Sequence, residues 1–194
     1  MMESSSPLPL PARVQLLLPE WMQHFPDPHT VCASDEDKVA LAIELSRRNV
    51  DAGSGGPFGA IVFDAEGRIV AAGVNRVMPQ HTSLAHAENI AFMLAQQRLH
   101  SARINAALAA PVTLATSSQP CCQCYGAAVW AGIDRLLIGA RAEDVMALTP
   151  FDEGPLPADW IGELQRRGIQ VVRDLHRQAA CEVLRAYGES GPRY

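Results

Sequence analysis

Lysine is nearly missing from this chain. Lys38 is the only one among 194 residues, and the remaining positive charge sits on scattered arginines. The formal net charge is −5, and no arginine run exceeds the pairs Arg47–Arg48 and Arg166–Arg167. Affinity for polyanions is built largely from Lys and Arg against phosphates, so no nucleic-acid partner is expected. Long apolar runs are missing too. Val14–Leu18 is far shorter than the roughly 20 apolar residues of a spanning helix, so no membrane partner is expected either. Met1 to Pro11 lacks a charged start followed by an apolar run, which argues against a secretion signal. Five cysteines without such a signal predict a reducing, cytoplasmic compartment. Metal ligation or catalysis, rather than disulfide formation, is then the default role for thiols.

What is present suits one ordinary domain. Hydrophobic residues make up 48% of the chain, enough for a real core. Residues 1–30, with prolines at 7, 9, 11, 19, 26 and 28, read as an N-terminal arm, laid on the domain or partly disordered. At most a short helix fits between Arg13 and Met22. Residues 31–188 read as the domain and 189–194 as a Gly/Ser/Pro tail.

A helix is predicted from Ser34, an N-cap followed by Asp35, Glu36 and Asp37, to about Val50. Phe58–Phe63 and Ile69–Asn75 read as strands joined by a turn at Glu66–Gly67. A loop from Arg76 to Leu84 leads to a helix from Ala85 to about Leu99. Val112–Ser117 is a third strand, followed by a helix from Cys121 to about Ala131. Arg135–Gly139 is a fourth strand and Gln170–Arg173 a fifth. Between these last two lie helices at Ala142–Ala147 and Ala158–Arg167, and a final helix runs from Leu175 to Tyr187. This alternation predicts an α/β fold, a mixed five-stranded sheet with helices on both faces.

Two segments carry chemistry: His86-Ala87-Glu88 and Pro120-Cys121-Cys122-Gln123-Cys124. Each is predicted to open a helix, where unpaired N–H groups and the positive dipole end lower thiolate pKa values. One imidazole and two thiolates suit zinc, and three protein ligands with one open position mark a catalytic site. A structural site would want a fourth ligand. Cys32 and Cys181 are distant in sequence, and Cys122 is sterically unsuited to share the ion with both neighbours. Zinc lowers the pKa of water from 15.7 to about 7, which corresponds to about 12 kcal/mol in favour of hydroxide. Glu88, two residues beyond the histidine, is placed to move protons without ligating.

Taken singly, each residue has a plainer reading. Cys121–Cys124 could be a redox pair or buried thiols, His86 a core histidine, and Glu88 a carboxylate favouring its helix dipole. Their joint fit to H-x-E…P-C-x-x-C is what favours a zinc site of the nucleobase-deaminase kind. Cys122 is expected to fill space under the site. His81 reads as a solvated loop residue, with a second cavity histidine as the alternative. Gly53–Gly56 matches no phosphate-loop pattern and reads as the turn feeding a strand.

Around these motifs the chain resembles the cytidine-deaminase-like superfamily, and within it the bacterial guanine deaminases. The segments that carry the resemblance are Gly55-Gly56-Pro57-Phe58-Gly59-Ala60, Gly73-Val74-Asn75, Ala85 to Glu88, Pro120 to Cys124 with Gly126-Ala127, and Phe151 to Pro155. The resemblance spans roughly residues 35 to 187. It implies a three-layer α/β/α fold, a homodimer, and a site in which Asn75 hydrogen-bonds the base and Phe58 lines its pocket. It also implies a main-chain contact at Ala87 and a second proton-relaying acid at Glu153. Thr82-Ser83-Leu84 departs from the pattern that many relatives carry before Ala-His-Ala-Glu.

The function expected is zinc-dependent hydrolysis of an aminated heterocycle by water, guanine to xanthine plus ammonia. Alternatives are another base or nucleoside (cytosine, adenine, a modified purine or a triazine-like ring), a tRNA adenosine deaminase, or a zinc module without catalysis.

Overall fold

The computed structural model describes Leu10 and residues 12–190, with Ser190 described by its backbone alone. Helix α1 (Asp35–Asp51) starts as expected. Ser34 caps it by accepting from the Asp37 N–H at 3.0 Å, and the Asp37 carboxylate takes the Ser34 N–H at 3.3 Å. This reciprocal pairing satisfies two otherwise orphaned donors at an end already rich in acidic residues.

The sheet is mixed. Strands β1 (Gly59–Phe63) and β2 (Ile69–Val74) pair antiparallel, and β3 (Thr113–Ser118) pairs antiparallel to the other side of β1. Strands β4 (Arg135–Ala140) and β5 (Gln170–Val172) continue in parallel, giving the order β2-β1-β3-β4-β5. Parallel neighbours need crossovers. Helix α4 (Cys122–Ala131) supplies the first, and α5 (Ala142–Leu148) with α6 (Trp160–Arg166) the second. Helix α3 (Ala87–Leu99) joins β2 to β3, and α7 (Arg177–Ser190) closes the chain.

Side chains alternate across a strand, and the alternation sorts two cores. Ala60, Val62, Leu114, Leu136 and Ile138 pack with α3 and α4 on one face. Ile61, Phe63, Ala115 and Leu137 pack with α1, α5 and α7 on the other. The result is the three-layer α/β/α sandwich. One close approach matters for the site: a Cβ at Gly73 of β2 would stand 2.2 Å from the Ala87 carbonyl oxygen. Glycine there lets the first turn of α3 press onto the sheet.

Several expectations need correction. The Arg76–Leu84 stretch is not all loop, because it holds a short helix α2 (Val77–Gln80). Asn75 Oδ1 accepts the Val77 N–H at 3.3 Å, and Pro79 is tolerated because a first turn needs no N–H at that point. The last helix starts at Arg177 rather than Leu175, since Asp174 and His176 take positive φ values of 69° and 50°. It then runs through Gly188 to Ser190, beyond the expected end at Tyr187. Residues 191–194 of the expected tail, and 1–9 and 11 of the expected arm, lie outside the described residues. The short helix allowed between Arg13 and Met22 is a single 3-10 turn, Glu20–Gln23, which follows Pro19 and ends one residue later. From Leu17 onward the arm lies on the domain, with the Leu17 N–H donating to Gln80 Oε1 at 3.0 Å and Arg76 Nε donating to the Leu17 carbonyl at 3.1 Å. No helix among the described residues is long and apolar enough to cross a membrane.

Candidate metal centre and its cavity

Strand directions explain why distant residues meet. Both β2 and β3 run antiparallel to β1, so their carboxyl ends and the start of β1 share one sheet edge. Phe58 precedes β1, Asn75 follows β2, and Cys121 follows β3 after two residues. His86 and Cys121 are the N-cap residues of α3 and α4, both with extended backbone (ψ 153° and 175°). Cys124, fully buried, lies one helical turn beyond Cys121.

The three side chains converge. His86 Nδ1 lies 3.5 Å from Cys121 Sγ and 3.4 Å from Cys124 Sγ, and all three donor atoms fall within 4.8 Å of one another. In tetrahedral zinc with bonds of about 2.0–2.3 Å, ligand atoms stand about 3.4–3.8 Å apart. Spacing and donor chemistry therefore both fit a zinc ion. A hydrogen bond from Cys124 is the main influence that lowers the Cys121 thiol, to about 4, while the same bond and burial drive Cys124 upward. Burial depresses His86, but the Cys121 thiolate and the Glu88 carboxylate outweigh it and the net shift is upward.

Two buried carboxylates share this cavity. Glu88, 7% exposed, sits in the first turn of α3, and burial raises its pKa. Glu153, 8% exposed, arrives from the loop after α5; burial, then the charges of Cys121 and Glu88, push it up to about 8. Its carbonyl accepts the Cys122 N–H at 2.9 Å, which ties the loop to the start of α4. The cavity measures about 340 Å³. Phe58 lines it and packs on Phe151 with ring centroids 5.6 Å apart, and Phe151 packs in turn on Tyr187 of α7 at 5.6 Å.

Asn75 also lines the cavity, 3% exposed. Its Oδ1 accepts from the Gly56 N–H at 3.4 Å and the Val77 N–H at 3.3 Å. Two backbone donors can face only the oxygen, so the NH₂ of the amide is the end left for a ligand.

Other expectations fall differently. Ala87 turns its methyl into the core, which leaves the main-chain contact expected there as the one its backbone could make. Cys122 does not fill space under the site. It is exposed, because as the first residue of α4 it points to the outer side, near Gly154. His81 is exposed and outside the lining, so the solvated reading holds. Sequence reasoning missed Val77, Ser83 and Gln119 in the lining. For Gln119 a signal existed: a polar residue two positions before a ligand, 6% exposed in the fold. Val77 and Ser83 lie in the stretch read as loop.

Residues 33–140 match the family described as the cytidine and deoxycytidylate deaminase zinc-binding region. The chain belongs to this family of zinc-binding deaminases. Among its relatives, guanine deaminase from Bacillus subtilis (strain 168) is 35% identical over 118 residues, 61% of this chain and 71% of that protein. The solved guanine deaminase from Nitrosomonas europaea is 40% identical with a TM-score of 0.87, covering 93% of this chain and 99% of that one. A solved complex with 2,6-diaminopurine is 42% identical with a TM-score of 0.85, covering 90% and 92%. The chain is thus a zinc aminohydrolase similar to guanine deaminases.

Proposed function

We propose that this protein deaminates a free purine base, converting guanine and water into xanthine and ammonia. The observation that carries the reading is the pair of buried carboxylates, Glu88 and Glu153, lining one cavity with His86 and Cys121. Similar solved proteins bind 8-azaguanine, a purine analogue, and 2,6-diaminopurine. The cavity's 340 Å³ lies at the small end of ligand pockets, about 300–1,000 Å³, which favours a bare ring system over a nucleoside. The acidic chain, with its single lysine, speaks against an RNA substrate.

His86, Cys121 and Cys124 would hold the zinc. That ion supplies a Lewis acid with one open position and brings the pKa of water down to about 7. Glu88 takes the proton released by the attacking water and delivers it to the ring nitrogen beside the amine-bearing carbon. Glu88 or Glu153 then carries the remaining proton of the added water from its oxygen to the amine, and the C–N bond breaks as the carbonyl forms, releasing ammonia. The Asn75 NH₂ donates to an acceptor on the base, and Phe58 presents an apolar wall to its ring. The Ala87 N–H, one of the four at the start of α3 without an intrahelical acceptor, is assigned to the base's edge. The expected assembly is a homodimer. Light scattering at twice the chain mass would support it, and a fully active monomer would refute it.

The test is ammonia release by the zinc-loaded protein from guanine, other free bases, nucleosides and tRNA. Release from guanine with xanthine as product is expected. Release from another ring but not guanine would overturn the substrate and spare the chemistry, and salt-sensitive turnover of tRNA would overturn both substrate and partner.

A further inference from the structure

A buried relay reaches the cavity from behind. Asn49 of α1 is fully buried and outside the cavity lining, yet its side chain makes three hydrogen bonds. Its Nδ2 donates to the Gly56 carbonyl at 2.8 Å and to the Asn75 carbonyl at 2.9 Å. Its Oδ1 accepts from Ser54 Oγ at 2.7 Å, and Ser54 Oγ in turn accepts from Trp21 Nε1 of the N-terminal arm at 3.1 Å. The polar chain therefore runs Trp21, Ser54, Asn49, and ends on both partners of the Gly56–Asn75 contact.

Glycine is required where this relay ends. A Cβ at Gly55 would stand 1.9 Å from the Asn75 carbonyl oxygen and 2.7 Å from Asn49 Nδ2, and one at Gly56 would stand 3.1 Å from Asn75 Oδ1. Two adjacent glycines make a turn that packs closely but holds itself weakly. Asn49 is what fixes that turn against Asn75. With the Gly56 N–H held on Oδ1, the amide keeps its NH₂ toward the cavity. Without that contact the amide is held by the Val77 N–H alone, and its rotation, which would present oxygen where the base also presents an acceptor, becomes easier.

We propose that Asn49 is a positioning residue for the amide of Asn75, and that the N-terminal arm, through Trp21 and Ser54, is a working part of the base-binding site. This rests on the reading that Asn75 meets the base. Arg76, next in sequence, ties the same pieces together by donating to the Leu17 and Ser54 carbonyls.

The experiment is a double-mutant cycle on the full chain loaded with zinc, reading KM and kcat for guanine and the Kd for 8-azaguanine. Trp21→Phe keeps a ring against Phe25 and removes the N–H together with part of the indole's bulk. Ser54→Ala cuts the relay in the middle and stands as the second variant. Each should raise KM and Kd roughly three- to tenfold, about the worth of one hydrogen bond, with kcat within about twofold. In an Asn75→Ala background neither should have a further effect, because a relay acting through Asn75 has nothing left to act on. Unchanged KM and Kd in both variants, or the same rise in the Asn75→Ala background, would overturn the inference and leave the role of Asn75 standing. Normal KM and Kd for Asn75→Ala alone would overturn both.

Discussion

Gly73→Ala is a one-methyl change that should damage both fold and site. The new Cβ would lie 2.2 Å from the Ala87 carbonyl oxygen and 2.8 Å from the Ala91 N, both backbone atoms of α3. Ordinary contact begins near 3.4 Å, so helix and strand must part by about 1 Å. Neither atom belongs to a flexible side chain that could step aside. Such overpacking costs about 1–3 kcal/mol. At about 2–4 °C per kcal/mol for a chain of this size, Tm should fall by roughly 2–12 °C. The first turn of α3 carries His86 and Glu88, and a misplacement of about 1 Å can cost on the order of 100-fold in rate. Differential scanning calorimetry and ammonia release, each on zinc-loaded protein, read the two effects. Gly126→Ala on α4 is the control. Its Cβ meets nothing within 4 Å, so it should be neutral or gain about 0.5–1 kcal/mol from better helix propensity. Wild-type Tm and activity in Gly73→Ala would refute the reasoning that close packing of α3 on β2 sets the site.

Two further outcomes follow from the same contacts. Ser34→Ala removes one half of the reciprocal cap on α1 and should cost about 1 kcal/mol, read as a fall in the denaturation midpoint with unchanged slope. Asp35 makes two bonds with Arg135, at 2.8 and 2.6 Å, and the hydrogen bond from Arg135 is the main cause that holds its pKa below the ordinary value. A carboxylate depressed in the fold stabilises fully above its unfolded pKa, about 3.9, and the benefit is lost as pH falls through the folded value. Asp35→Asn should therefore lower the unfolding free energy between pH 5 and 7 by an amount on the order of 1 kcal/mol, with Tm falling accordingly, and the difference from wild type should shrink well below pH 4. A difference that grew towards acid would contradict the assignment.

The ligands were legible because zinc chemistry demands particular atoms at short spacing, and His86, Cys121 and Cys124 supply them in two compact motifs. α1 was legible because Ser34 and the acids after it announce a helix start, and the unbroken apolar run from Ala60 to Phe63 suits a strand buried on both faces. The relay from Trp21 to Asn75 was not legible. Its members are 33, 5 and 26 residues apart in sequence, and only the fold brings the arm against the Gly53–Gly56 turn. α2 was hidden because four residues are too few to show a period. Cys122 was misjudged because its direction depends on where α4 begins, a matter of one residue.

The most direct test of the chemistry is Glu88→Ala, assayed for zinc content, thermal stability and ammonia release from guanine on the same preparation. Glu88 is not one of the three residues that converge on the metal position, so the variant should keep one zinc per chain and a cooperative unfolding transition while losing turnover by about 10²–10⁴-fold. A variant that binds zinc and deaminates guanine at the wild-type rate would contradict the central claim that this carboxylate moves the protons.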